Sequence, residues 1–145
     1  MRYSLANYVC TIKPNDPSLL SMFGIVNIGG EGSATDFLTA SRNEPLFSTD
    51  SYSTGGYVHN KNLSKTGAIA ISINQLATNV GKLKRLVNAY QSGDYDGLTI
   101  TVTTSDGEIV CTGVDSVPTQ IPTQEFRNTA SNQTWTFNCG EINFE

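Results

Sequence analysis

The chain reads as a mainly β domain with one helix lying on a sheet, and three patterns predict it. In Gly67–Ile73 isoleucine recurs at every second position (Ile69, Ile71, Ile73) with Ala68, Ala70 and Ser72 between. That is the two-residue period of a strand with a bulky face and a small-residue face. The period then changes. Leu76, Val80, Leu83, Val87 and Tyr90 are spaced four, three, four and three, which sets them on one stripe of a helix over about residues 75–91. At the far end, Gln133–Cys139 puts Trp135, Phe137 and Cys139 on one face and Thr134, Thr136 and Asn138 on the other. A lone amphipathic helix in a strand-like chain buries its stripe only by lying on a sheet.

The elements follow in order. Tyr3–Ile12 alternates, with Tyr8, Cys10 and Ile12 on one side, and Lys13-Pro14-Asn15-Asp16-Pro17 is expected to break it because proline cannot donate to a ladder. In Ser18–Ile28, Pro17 can open a helical turn through Leu19-Leu20, while Phe23–Ile28 around Ile25-Val26 favours a strand. Gly29-Gly30-Glu31-Gly32 is a turn that fits neither a phosphate-cradling loop nor a dinucleotide fingerprint. Ala34–Asn43 is a further strand with Phe37 near its centre.

Residues 44–65 form a long polar excursion rich in Ser, Thr, Asn and Gly. Such a length inside a compact domain is uncommon unless the segment has a job or is disordered. Its aromatics, Phe47, Tyr52 and Tyr57, together with His59, favour a hairpin or arm that packs on a partner; a disordered loop is the alternative. Asn74 is the expected N-cap of the helix, and Ser92-Gly93 its stop through a left-handed glycine. Asp94-Tyr95-Asp96-Gly97 turns into the strand Leu98–Thr104. Ser105-Asp106-Gly107 then makes a hairpin to Glu108–Val114, and Asp115–Pro122, with two prolines, reads as an edge or a connection.

Composition excludes several classes of function. The chain has 145 residues, long enough for one domain (1–145) with a real core. A net charge of −4 argues against nucleic-acid binding through a basic patch, and the one basic cluster, Lys82, Lys84 and Arg85, reads as a solvated helix face. No apolar run is long enough to cross a bilayer, and no signal peptide is recognised, so the chain reads as assembled in the cytosol without membrane contact. Cys10, Cys111 and Cys139 lack the paired short spacings of a zinc site and read as buried free thiols. The single histidine, His59, lies far from any nucleophile motif, and Asp94/Asp96 lack the further ligands that calcium needs. No catalytic, metal or cofactor site is expected, and no enzyme. A small sheet protein with open edges can instead pair those edges between copies, closing a ring whose strands form a continuous barrel.

The ordered set of segments resembles the tail tube proteins of bacteriophages, the short tube subunits of contractile-tailed phages and prophages. The likeness rests on Tyr3-Ser4-Leu5, Val26–Gly32, Gly56-Tyr57-Val58-His59-Asn60, Lys65-Thr66-Gly67, Asn74–Asn79, and Trp135-Thr136-Phe137 with Gly140-Glu141-Ile142. The resemblance implies an antiparallel β-sandwich or partial barrel with one flanking helix. It further implies six-membered rings stacked into a tube that conducts DNA without binding it, located in a virion tail assembled in the host cytoplasm. Sheath, baseplate and tape measure proteins would be its partners, and residues 44–65 would be the arm between copies.

On that basis Asp36, Glu44, Asp106 and Glu108 are expected to give a negative lumen, and Lys82 and Arg85 to face outward towards a sheath. Ile69, Ile71 and Ile73 are expected to pack beneath Leu76, Val80, Leu83 and Val87, leaving Ala68, Ala70 and Ser72 for an interface or the channel wall. The competing readings are a soluble β-sandwich presenting Tyr52 and Tyr57 to a glycan or small ligand, and a secretion-system tube protein.

Overall fold

The computed structural model describes residues 8–29, 38–74, 80–104, 106–123, 129 and 132–145. Along them run β1 (Tyr8–Pro14), α1 (Pro17–Phe23), β2 (Val26–Gly29), β3 (Leu38–Arg42), β4 (Phe47–Ser51), β5 (Tyr57–Lys61), β6 (Gly67–Asn74), α2 (Val80–Ser92), β7 (Leu98–Thr104), β8 (Ile109–Pro118) and β9 (Asn132–Phe144). Seven strands join in one sheet of order β2-β1-β7-β8-β9-β6-β3, curled into a half-barrel, while β4 and β5 pair only with each other. Every pairing is antiparallel. The partial barrel is thus realised by one curled sheet.

The alternating isoleucines behave as their period demands. Ile69, Ile71 and Ile73 are fully buried opposite Phe137, Trp135 and Gln133 of β9. They share one core with Val80, Leu83, Leu86 and Val87 of α2, and with Cys10, Ile12, Leu98, Ile100 and Val102. Leu86 adds a position that the four-three spacing did not include, and Tyr90 is half-buried at the margin. Leu76 lies outside the described residues. Ala68, Ala70 and Ser72 face the other way, half-buried on the open side of the sheet.

Several boundaries differ from the sequence reading. β1 does not stop before Lys13-Pro14; both residues pair with Thr99 and Leu98, and Pro14 is tolerated as the last strand residue. A second helix is present besides α2, because Asp16 caps α1 through Ser18 N (2.9 Å) and Pro17 occupies its first turn, where a missing N–H is harmless. The strand expected over Phe23–Ile28 begins only at Val26. Asn74 closes β6 opposite Asn132, and residues 75–79, to which its expected capping role refers, lie outside the described residues. The helix does end at Ser92, yet Gly93 is not left-handed; an added Cβ there would meet the Tyr95 ring at 3.1 Å.

The Asp-Gly hairpin forms as expected, with Gly107 at φ 90° and Thr104 N donating to Glu108 O (2.9 Å). Of Asp115–Pro122, read as an edge or a connection, the second half is a connection but the first is not an edge. β8 continues to Pro118 in the middle of the sheet through a bulge, where Leu98 pairs with Ser116 but Ile100 with Gly113. Asp115 takes φ 52° there, and the buried side of β8 switches from Cys111 and Gly113 to Ser116. β9 changes phase at the same level, from Cys139 to Ile142, so the two strands bend together.

Candidate assembly surfaces

The polar excursion expected to be an arm contains a two-stranded ribbon. β4 and β5 pair in register Phe47↔Lys61, Thr49↔His59 and Ser51↔Tyr57, and every residue of both strands is exposed. The two-residue period sorts the side chains. One face carries Phe47, Tyr57, His59 and Lys61, and the other Ser48, Asp50, Val58 and Asn60. On the first face Thr49 Oγ1 and His59 Nδ1 share a hydrogen bond of 2.8 Å, and the Tyr57 and His59 rings lie 5.1 Å apart. On the second, Asn60 Nδ2 donates to Asp50 Oδ2 (2.7 Å). Tyr52 stands at the tip, where Tyr52 N donates to Gly56 O (2.8 Å). Phe47, Tyr52 and Tyr57 keep 52%, 57% and 68% of their surface in solvent, too much for side chains with a packing role inside the subunit.

A two-stranded ribbon in water is marginal by itself. This one is held at its root. Arg42 reaches from edge strand β3 across β6 and donates from Nε (3.2 Å) and Nη2 (3.0 Å) to the Ile142 carbonyl of β9, its guanidinium lying 5.5 Å from the Phe144 ring. Asn43 N donates to Thr66 O (2.9 Å), Ile142 N to Lys65 O (2.9 Å), and Lys65 pairs with Glu141 at 3.6 Å. Glu44 accepts from Asn62 Nδ2 at the neck. All this closes over Gly67, where a Cβ would collide with the Ser41 carbonyl and lie 2.6 Å from Ile142 Cδ1. Leu46 and Leu63 flank the neck, 55% and 79% exposed. Neither was singled out from sequence, although an apolar residue stranded in a polar segment is the available signal.

A second surface lies on the helical side. Arg85 is exposed on α2, whereas Lys82 is half-buried and donates to Ile25 O (3.4 Å), tying α2 to the loop after α1. Exposed Met22 and Ile25 adjoin it. At the other end of α2, Tyr90 OH donates to Asp96 O (2.6 Å), and Asp96 N points to Asp16 Oδ2 (3.4 Å). Burial first, and then the negative charges of Asp16, Asp96 and Asp115, push the Tyr90 phenol up to about 12.

Of the acidic residues expected on a channel wall, the three that are described are not on a sheet face. Asp106 and Glu108 are exposed in the β7–β8 turn, Glu44 is at the arm's neck, and Asp36 lies outside the described residues. The thiols are core groups: burial pushes Cys10 up to about 12 and raises Cys111 and Cys139. Ser116 Oγ donates to Cys139 Sγ (3.1 Å). Among the described residues no cluster of His, Cys, Asp and Glu could hold a metal, and no helix is long and apolar enough to cross a membrane.

No protein-family model and no curated protein matches the sequence. Solved structures do match. A chain of the sheath–tube complex of PVC, an extracellular contractile injection system, in its extended state superposes with a TM-score of 0.60 at 12% identity, covering 100% of this chain and 92% of that one. The fold is one found in components of contractile injection systems. The sheath/tube terminator of the same system gives 0.64 at 12% identity over 100% of this chain and 97% of its own. A chain of the anti-feeding prophage baseplate gives 0.64 at 7% identity, covering 99% and 95%. The shared architecture spans each chain nearly end to end.

Proposed function

We propose that this chain is a structural, non-enzymatic subunit of a contractile tail or injection tube. Copies associate into rings of six that stack into a conduit, with sheath, baseplate and end-capping proteins as partners. The observation that carries the reading is the arm: a ribbon rooted rigidly by Arg42 and Asn43 in a tube-type sheet, presenting Phe47 and Tyr57 to solvent. Tyrosine and other aromatics exposed in this way are the residues that anchor interfaces, and a second copy is the partner always at hand. The anti-feeding prophage baseplate is a sixfold-symmetrised assembly, which supports rings of six. DNA, in a phage-type tail, passes along the axis without specific binding. The exposed cation Arg85, with Lys82 beside it, sits on the helical side, which faces a sheath.

Negative-stain electron microscopy of concentrated protein tests this. Rings or tubes are expected. Phe47→Ala combined with Tyr57→Ala raises the concentration needed for assembly by tenfold or more, since one interface anchor is worth at least about 1.4 kcal/mol. Unfolding of the subunit changes little, because both rings are more than half exposed and Tyr57 meets only the His59 ring of its own arm. A protein that remains monomeric at high concentration, or that binds a glycan through Tyr52 and Tyr57, contradicts the proposal.

A further inference from the structure

The expectation of a negative channel wall treats the chain's net charge as if it were spread evenly. It is not. In the seven strands of the curled sheet the charged residues are Lys13, Arg42, Asp115 and Glu141. Arg42 is bonded to the Ile142 carbonyl and Glu141 is paired with Lys65. Asp115 sits in the bulge with its carboxylate against Gly97. The open face of the central strands is otherwise hydroxyl and amide. Thr101 of β7 pairs with Thr112 of β8, and Thr112 with Asn143 of β9, in one cross-strand row. Thr134, Thr136 and Asn138 continue this surface along β9. Val114 and Val117 are scattered exceptions.

We propose that this open face over β7, β8 and β9 is the inner wall of the assembled conduit, and that the wall is uncharged. The inference rests on the tube reading above. The core and α2 cover one side of the curled sheet, which leaves the threonine–asparagine side open. Of the two broad surfaces, the helical one carries Lys82, Lys84 and Arg85. Turned inward, it would hold a polyanion by counterion release instead of letting it pass. The threonine–asparagine face lacks the aromatic and arginine anchors of a protein contact. Its hydroxyls and amides stay satisfied by water, which keeps a hydrated layer on the wall without adding a field. Asp106, Glu108 and Glu44, in turns and at the arm's neck, fall at the rims of a ring.

The test uses assembled tubes. Thr101→Cys and Thr136→Cys are compared with Arg85→Cys, against native thiols that are all buried. A small maleimide is expected to label all three variants in tubes. A maleimide carried on a protein too large to enter the bore labels only Arg85→Cys, while free subunits accept both reagents. Separately, small gold clusters of opposite charge are offered to unmodified tubes. Neither sign should concentrate along the axis, and Thr136→Asp should draw in the cationic clusters.

Bulky labelling at 101 and 136, or loss of small-reagent labelling there, overturns the placement. Cationic clusters filling unmodified tubes overturn the neutrality. Both results leave the tube reading standing; failure of the unmodified protein to assemble removes that reading and this one together.

Discussion

Gly67→Ala perturbs the tightest point of the fold. The new methyl would overlap the Ser41 carbonyl and press on Ile142 Cδ1 at 2.6 Å and Arg42 Cα at 3.0 Å. These are backbone atoms and a core side chain, not the movable end of a surface residue. Overpacking a filled site costs about 1–3 kcal/mol. If β3 yields instead, Arg42 is drawn off the Ile142 carbonyl, and bonds to charged groups are worth about 1.5–3 kcal/mol. The half-exposed position sets that term at its low end. The lower entropy of the unfolded alanine chain returns about 0.5 kcal/mol. The net loss by either route is about 1–2.5 kcal/mol, which lowers a urea midpoint by roughly 0.5–1.2 M for a slope near 2 kcal/mol/M. Trp135, the single tryptophan and 1% exposed, reports the transition by fluorescence. Gly81→Ala is the matched control. It sits on the exposed face of α2 with its nearest contact 3.9 Å away, so it gains up to about 1 kcal/mol of helix propensity. If the two variants unfold at the same midpoint, the close approach beneath the arm does not exist.

Three further outcomes are expected. The folded Tyr90 pKa of about 12 lies above its ordinary value near 10, so its stabilising contribution is complete below pH 10 and is lost as pH rises through 12. Tyr90→Phe should flatten that alkaline fall in thermal unfolding; an unchanged slope refutes the assignment. Trp135 Nε1 is buried without a partner, so Trp135→Phe removes an unsatisfied donor while opening a small void. The two effects offset to within about 1 kcal/mol by circular dichroism, whereas Phe137→Ala costs about 3–5 kcal/mol. Arg85→Glu should weaken co-sedimentation of tubes with a sheath protein while rings still form. Lys82→Glu is the less clean variant, since Lys82 also holds the Ile25 carbonyl.

Periodicity made the core legible where one face of an element is apolar. Ile69, Ile71 and Ile73, Val80, Leu83 and Val87 of the α2 stripe, and Trp135 with Phe137 all fell where their spacing put them. It failed where the backbone shifts phase. Beyond Cys139 the buried side moves to Ile142, and the bulge at Asp115 carries β8 past the point where alternation ends. Prolines misled for a related reason, because Pro14 and Pro118 close strands instead of interrupting them. The arm was visible only by its aromatics. With no buried face, its alternation gives no apolar contrast, and nothing local announces that Arg42 reaches a carbonyl a hundred residues away. The placing of the acids was out of reach because net charge is a sum, and a sum does not say that turns hold most of it.

Cys10, Cys111 and Cys139 are unbridged and buried. Cohesion of this subunit therefore owes nothing to a disulfide, and a change of redox potential has no bond to make or break in it. Its stability is the same in a reducing and an oxidising medium, which the proposed role in a particle assembled inside a cell and used outside it would need. Here the core supplies that indifference, with its three thiols serving as small apolar fillers whose raised pKa values keep them out of thiolate chemistry.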